Sequence, residues 1–133
     1  MIGRVLDTTA LIAFANGNSP YAQAVVWSRM ANVSLLVIPA AALTEALAQL
    51  PDEAVQVLDV LLGLEVVVVD DLTTGSAPAV AEILKVAGPR AAEVLTAASA
   101  VQSARRRGGI PILTRDRFTL TALAPDAELD LIP

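Results

Sequence analysis

The sequence predicts an α/β fold in which a mostly parallel five-stranded sheet is flanked by helices, an α/β/α sandwich. Short apolar runs rich in β-branched residues alternate with longer stretches of Ala, Leu and Gln at helical spacing. The apolar runs are continuous, as expected for strands that are covered on both faces. No internal repeat, linker or low-complexity tail divides the 133 residues, so we expect a single domain over residues 1–133.

The predicted strands and helices follow one another along the whole chain. The apolar runs predict strands at 2–6 (IGRVL), 33–38 (VSLLVI), 65–69 (EVVVV), 110–113 (IPIL) and 128–132 (ELDLI). Helical spacing predicts helices over 8–15, 20–31, 40–50, 52–62, 76–86 and 90–107. Prolines stand near the starts of several of these helices, where the missing N–H costs least, and Gly108-Gly109 ends the last one.

The composition restricts both the chemistry and the location of the protein. The chain has neither His nor Cys, which excludes disulfides, thiol nucleophiles, Ser–His relays and ordinary zinc sites. A net charge of −5 and four aromatic residues argue against a nonspecific nucleic-acid coat or a base-stacking platform. The longest apolar run, LLVIPAAAL, is shorter than the ~20 residues of a membrane span. Polar residues interrupt the apolar N-terminus too early for a signal peptide, so we expect a cytoplasmic protein.

Four isolated acidic residues form the candidate site. Asp7 follows the first predicted strand and Asp116 the fourth, so both should lie at the carboxyl edge of the sheet, where such folds bind ligands. Glu45 and Glu93 are isolated acids in Ala-rich predicted helices. Any one of them alone is more simply a surface acid. If all four converge, they would repel one another without cations, and an all-oxygen ligand set favours Mg²⁺ or Mn²⁺. Phosphodiester hydrolysis is the usual chemistry of such a site.

Three segments of the chain resemble a known family. VLDTTALIA near the start, LTEAL in the middle and PILTRDRF near the end are similar to the signature segments of PIN-domain ribonucleases. The order and spacing agree over essentially the full length, and the resemblance is greatest to the small VapC-like toxins of bacterial toxin–antitoxin pairs. It implies a parallel five-stranded sheet flanked by helices. It also implies an Mg²⁺- or Mn²⁺-dependent endoribonuclease that cleaves RNA with a metal-activated water.

The same resemblance assigns the acids one by one. Asp7, Glu45, Glu93 and Asp116 take the positions of the family's four catalytic, metal-binding acids. The third is normally Asp in a segment like DALIAATA, whereas this chain has EVLTAASA, so Glu93 departs from the pattern. Glu keeps the charge but moves the oxygens by roughly an ångström. Because Mg²⁺ tolerates poor octahedral geometry badly, we expect a working but weakened metal site.

Neighbouring hydroxyl and basic residues are assigned supporting roles. The resemblance implies that Thr9 lies near the metal, although capping of the first helix is an equal alternative. Thr114 either holds the turn after the fourth strand or helps to order water. Arg115 and Arg117 bracket Asp116 and are the better candidates for binding RNA phosphates.

Other charged residues received simpler interpretations. The run at 105–107 (RRR) either contacts RNA or forms a solvated helix end. Asp70 and Asp71 are interpreted as solvated turn residues that cap the next helix. The resemblance also implies a homodimer and a small antitoxin that covers the site.

Three alternatives were compared with this interpretation. A haloacid-dehalogenase-type phosphatase requires a second Asp two residues after the first, where this chain has Thr9. A receiver domain requires a Lys at a late strand end, but the single lysine, Lys85, falls in a predicted helix. A non-catalytic PIN-like module with a degenerate acidic site stays open, and metal binding would distinguish it from the nuclease.

Overall fold

The computed structural model describes residues 3–32 and 34–133 and confirms the α/β fold. Five strands form one sheet in the order β3-β2-β1-β4-β5, and every neighbouring pair in the described part of the chain is parallel. Their bounds are Gly3–Leu6 (β1), Leu35–Pro39 (β2), Val67–Asp70 (β3), Ile112–Thr114 (β4) and Leu129–Leu131 (β5). The strands are shorter than expected, and the predicted first residues of two of them, 2 and 33, lie outside the described residues.

The helices agree with the prediction in the first half of the chain and differ in the second. The bounds are Thr8–Ala15 (α1), Pro20–Ala31 (α2), Ala40–Gln49 (α3), Asp52–Leu62 (α4), Ala77–Leu84 (α5), Leu95–Arg105 (α6) and Arg117–Leu123 (α7). The predicted helix over 90–107 is wrong in its first part, because a 3₁₀ segment, Lys85–Val94, precedes α6. Gly88, with φ 53° and ψ −123°, interrupts this segment, and such a backbone favours glycine. The short helix α7 was not predicted.

Side chains of successive strand residues enter two separate hydrophobic clusters. Leu6, Leu36 and Ile38 pack with α1 to α4 on one face of the sheet. Val5 and Val37 pack on the other face with side chains of α5, α6 and α7. All five are fully buried. Because strand side chains alternate between faces, burial of both faces explains why the strands are continuously apolar.

The strand order positions the candidate site. The chain leaves β1 in one direction to β2 and β3, and β4 and β5 lie on its other side. The strand order therefore reverses at β1, and the crevice beyond the carboxyl ends of β1 and β4 is the usual ligand position in such sheets. None of the helices in the described residues is long and apolar enough to cross a membrane.

Asp70, the last residue of β3, is not the solvated capping residue that was predicted. Arg107 donates to both of its carboxylate oxygens, at 2.5 and 2.7 Å, and Arg106 lies 3.8 Å away. Burial of the Asp70 carboxyl raises its pKa, but hydrogen bonds from Arg107 and Ser103 and the two guanidinium charges outweigh this and hold the pKa below its ordinary value. Ser76 is the N-cap of α5 instead. The pair therefore joins the end of α6 to the sheet.

Candidate active site

The four acids predicted from the sequence line a single cleft. It lies beyond the carboxyl ends of β1 and β4, has a volume of about 100 Å³, and is lined by Asp7, Thr8, Thr9, Glu45, Glu93, Val94, Thr96, Ala97, Asp116 and Thr119. Its acids come from separate elements: the β1–α1 junction, helix α3, the 3₁₀ segment and the β4–α7 junction. Tertiary folding therefore brings together carboxylates that are as far apart as positions 7 and 116 in the sequence.

Asp7 is buried, and both of its carboxylate oxygens accept hydrogen bonds. Its Oδ1 accepts from the Ala10 amide at 2.9 Å and from the Thr9 hydroxyl at 2.7 Å, and its Oδ2 accepts from the Thr114 hydroxyl at 2.5 Å. Only 4% of the residue is exposed. Burial raises the pKa of the carboxyl, against the lowering effect of these hydrogen bonds, and the charge of Asp116 raises it further. Without a cation, burial disfavours the ionised form of Asp7, so a cation bound nearby would stabilise that form.

Asp7 has a structural role in addition to its place in the cleft. Asp7 is the N-cap of α1, with extended backbone and a side chain that accepts from the Ala10 amide. Capping leaves Oδ2 with one hydrogen-bond donor among the described residues. A carboxylate oxygen has a second lone pair, so the capping role and a metal-binding role are compatible.

Thr9 and Thr114 hold the two aspartates together. The Thr114 hydroxyl donates to Asp7 and accepts from the Asp116 amide at 2.8 Å, so it holds the turn after β4 as expected. The Thr9 hydroxyl donates to Asp7 and accepts from the Arg115 amide at 2.8 Å. The two hydroxyl oxygens are 3.2 Å apart. Thr9 is therefore a carboxylate-orienting residue and not the helix cap.

Asp116 begins the helix that the sequence analysis missed. It is the N-cap of α7, and its Oδ1 accepts from the Thr119 amide at 3.1 Å. The buried Leu120 and Leu123 form the apolar face of this helix. An Asp followed by leucines at helical spacing is an N-terminal helix signal, and it could have located α7.

The two glutamates lie in different environments. Glu45 accepts from the Thr96 hydroxyl at 3.0 Å, and this α6 residue was not assigned to the site from the sequence. Glu93 lies in the 3₁₀ segment and not on the helix that was predicted. It accepts from Arg90 Nε at 2.8 Å, and the Arg90 and Glu93 side chains are 76% and 60% exposed. Such an exposed ion pair is worth about 0–1 kcal/mol, so it restrains Glu93 weakly.

The oxygen donors of the four acids are of the type that a hard divalent cation prefers. The four carboxylates offer only oxygen, which Mg²⁺ and Mn²⁺ prefer. Glu45, Glu93 and Asp116 each accept a hydrogen bond through one carboxylate oxygen from a donor in the described part of the chain. Within residues 3–32 and 34–133, however, no three acids already stand close enough to surround one ion. Binding therefore requires side-chain movement inside the cleft.

The predicted RNA-binding arginines differ from the arginine run in their surroundings. Arg115 and Arg117 are exposed beside Asp116, and neither forms an ion pair with a carboxylate of the described residues. In the run, Arg107 and Arg106 lie against Asp70, and Arg105 pairs with Asp126 at 3.2 Å. Those side chains have structural partners, so the run is not a simple solvated helix end.

Comparisons with known proteins agree with the fold and the signature segments. The PIN domain family model matches residues 4–118. The fold is similar to a chain in the crystal structure of VapBC2 from Rickettsia felis bound to a DNA fragment from their promoter, with 13% identity, a TM-score of 0.71, and coverage of 99% of this chain and 100% of that chain. No curated protein matches the sequence. The predicted family resemblance is confirmed: the chain belongs to the PIN-domain family.

Proposed function

We propose that this protein is an Mg²⁺- or Mn²⁺-dependent endoribonuclease that hydrolyses phosphodiester bonds in RNA. The observation that carries the proposal is that four carboxylates from distant segments line one cleft at the reversal point of a parallel sheet. Membership of the PIN-domain family supports it. Asp7, Glu45, Glu93 and Asp116 would hold the cation.

The residues of the cleft and its rim would have separate roles in the reaction. A bound divalent cation would activate water and stabilise phosphoryl charge at neutral pH, which explains how the reaction runs without histidine. Thr9 and Thr114 orient Asp7 by hydrogen bonds, and Thr96 does the same for Glu45. Arg115 and Arg117, exposed at the rim, would contact RNA phosphates.

We further propose that the protein is the toxin of a toxin–antitoxin pair. The VapBC2 complex to which its fold is similar supports this assignment. The protein would form a homodimer, and a small antitoxin would cover the cleft. Exposed apolar side chains such as Trp27 (56% exposed) and Val60 (70%) offer surface for such contacts.

A second candidate function is a non-catalytic PIN-like binding module with a degenerate acidic site. One observation favours it: Glu93 stands where the family normally has aspartate, and its carboxylate is paired with Arg90. The two functions differ in metal binding, since a degenerate site would bind neither Mg²⁺ nor Mn²⁺.

Cleavage of RNA by purified protein tests the proposal. A pool of stem-loop RNAs with randomised loops would be incubated with Mn²⁺, with Mg²⁺ or with EDTA. We expect cleavage that requires the metal and is lost in Asp7→Asn. Glu82→Gln, which changes an exposed acid outside the cleft, is the matched control and should cleave normally. Cleavage that survives in EDTA or in Asp7→Asn would point to a contaminating nuclease and contradict the proposal.

A further inference from the structure

Phe118 is an aromatic residue that does not contribute to the hydrophobic core. Its side chain is 89% exposed, although Leu120 and Leu123 of the same helix are buried. The apolar face of α7 is therefore complete without Phe118. A single exposed apolar residue is common in proteins, so the inference depends on what surrounds the ring.

The ring borders a groove that continues the acidic cleft. The groove has a volume of about 510 Å³ and lies between α7 and the 3₁₀ segment, with Val86, Ala87, Ala122 and Leu123 among its apolar lining. Val94 and Thr119 line both the groove and the acidic cleft. A polymer whose reacting group lies in the cleft would therefore place its next unit in the groove.

The charges around the groove indicate which polymer fits. Arg90 lines the groove, and the exposed Arg117 directly precedes Phe118. These cations complement a chain of phosphates. The groove is lined by apolar side chains together with the polar side chains of Arg90 and Thr119. A nucleobase matches this lining, because it offers an apolar face and a hydrogen-bonding edge. Charge and shape therefore favour a nucleic-acid strand over a hydrophobic peptide.

We propose that Phe118 is a positioning residue that stacks on the nucleobase next to the scissile phosphate. This inference rests on the proposed ribonuclease function and adds a contact that sets which loops are cleaved. One ring serves one base, so this role is compatible with a chain that has too few aromatic residues for an extended stacking platform.

Four variants separate stacking from simple apolar contact. Loss of one stacked base weakens binding by roughly 5- to 150-fold. We expect Phe118→Ala to raise KM for a cleaved stem-loop within that range while kcat changes little. Phe118→Tyr keeps the ring and should restore the affinity, whereas Phe118→Leu keeps only apolar volume and should resemble Phe118→Ala. Leu72→Ala, at another exposed apolar position outside the groove, is the control.

The direct readout is the fluorescence of 2-aminopurine placed at each loop position of that RNA. On mixing with protein and Mn²⁺, we expect quenching at one position beside the cleavage site, before cleavage occurs, and no quenching with Phe118→Ala. Wild-type cleavage combined with an unchanged Phe118→Ala would overturn the stacking proposal and leave the ribonuclease intact. Phe118→Leu behaving like wild type would also overturn it. A wild-type protein that neither binds nor cleaves the RNA pool would contradict the ribonuclease function itself and, with it, the stacking role.

Discussion

Replacement of Thr114 by Val removes the hydroxyl that links the two aspartates of the cleft. Thr114 is fully buried, and its hydroxyl donates to Asp7 and accepts from the Asp116 amide. Valine has nearly the same shape, so no cavity forms. The variant therefore loses only polar contacts, and the Asp7 carboxylate retains two of its three hydrogen-bond donors.

The size of the effect follows from those two contacts. A hydrogen bond to a charged group contributes about 1.5–3 kcal/mol and a neutral one about 0.5–1.5 kcal/mol. We expect Thr114→Val to lower the free energy of unfolding by about 2–4 kcal/mol, which for a chain of this size lowers Tm by roughly 8–16 °C. Because residues that orient metal ligands typically contribute 10- to 100-fold to affinity, Mn²⁺ binding should weaken by about that factor.

Thermal unfolding and Mn²⁺ calorimetry measure the two effects separately. Thr114→Ser keeps the hydroxyl and loses one methyl group, which costs about 1 kcal/mol, and it should bind Mn²⁺ nearly as well as wild type. If Thr114→Val keeps the wild-type Tm and Mn²⁺ affinity, or if Thr114→Ser loses as much of both, the Thr114 hydroxyl does not hold the aspartates in place.

Three further predictions concern charged residues. Asp70→Asn should lower stability by about 1–3 kcal/mol at pH 7, a value reduced from that of a fully buried pair because the Arg107 side chain is 20% exposed. Folding lowers the pKa of Asp70, so its contribution to stability is present above the ordinary pKa of 3.8 and is lost as pH falls through the folded pKa. Urea unfolding measured against pH should therefore show the stability difference between Asp70→Asn and wild type disappearing in acid. Asp7→Asn should raise the Tm measured in EDTA, because it removes the cost of a buried charge. Arg90→Ala should tighten Mn²⁺ binding by up to about fivefold in calorimetry, because it frees Glu93 from an exposed ion pair.

A specific result would contradict each of these three predictions. If the stability difference between Asp70→Asn and wild type stays constant as pH falls to the lowest value measured, the ion pair does not depend on ionised Asp70. A large loss of stability in Asp7→Asn would mean that its capping role outweighs the cost of the buried charge. Weaker Mn²⁺ binding in Arg90→Ala would show that Arg90 positions Glu93 for the metal instead of competing with it.

Those features of the fold that depend on local pattern were predictable. Short segments rich in Val, Ile and Leu located all five strands, and helical spacing located α1 to α4. The 3₁₀ segment was not predictable in the same way, because Ala-rich sequence around Pro89 matches a helix until Gly88 takes a positive φ. Helix α7 was missed because only seven residues form it, fewer than a periodic pattern needs.

The candidate site was predictable in its acids and not in their surroundings. Asp7 and Asp116 follow strands of a parallel sheet, so topology alone brings them to one edge. The hydroxyl of Thr96 reaches Glu45 across 51 positions, and Arg107 reaches Asp70 across 37. Such pairings depend on how the helices pack on the sheet. The spacing of residues in the sequence does not predict that packing. The isolation of the four acids in the sequence grouped them, and the family resemblance assigned each one a position. Only the structure shows their contacts.

Calorimetric titration of Mn²⁺ into the purified protein determines whether the carboxylate cleft is a metal site. If the carboxylate cleft is a metal site, wild type binds Mn²⁺, Asp7→Asn does not, and Glu82→Gln binds as wild type does. Absence of Mn²⁺ binding by wild type, or equal binding by Asp7→Asn, would contradict the account and leave a PIN-like module without catalysis.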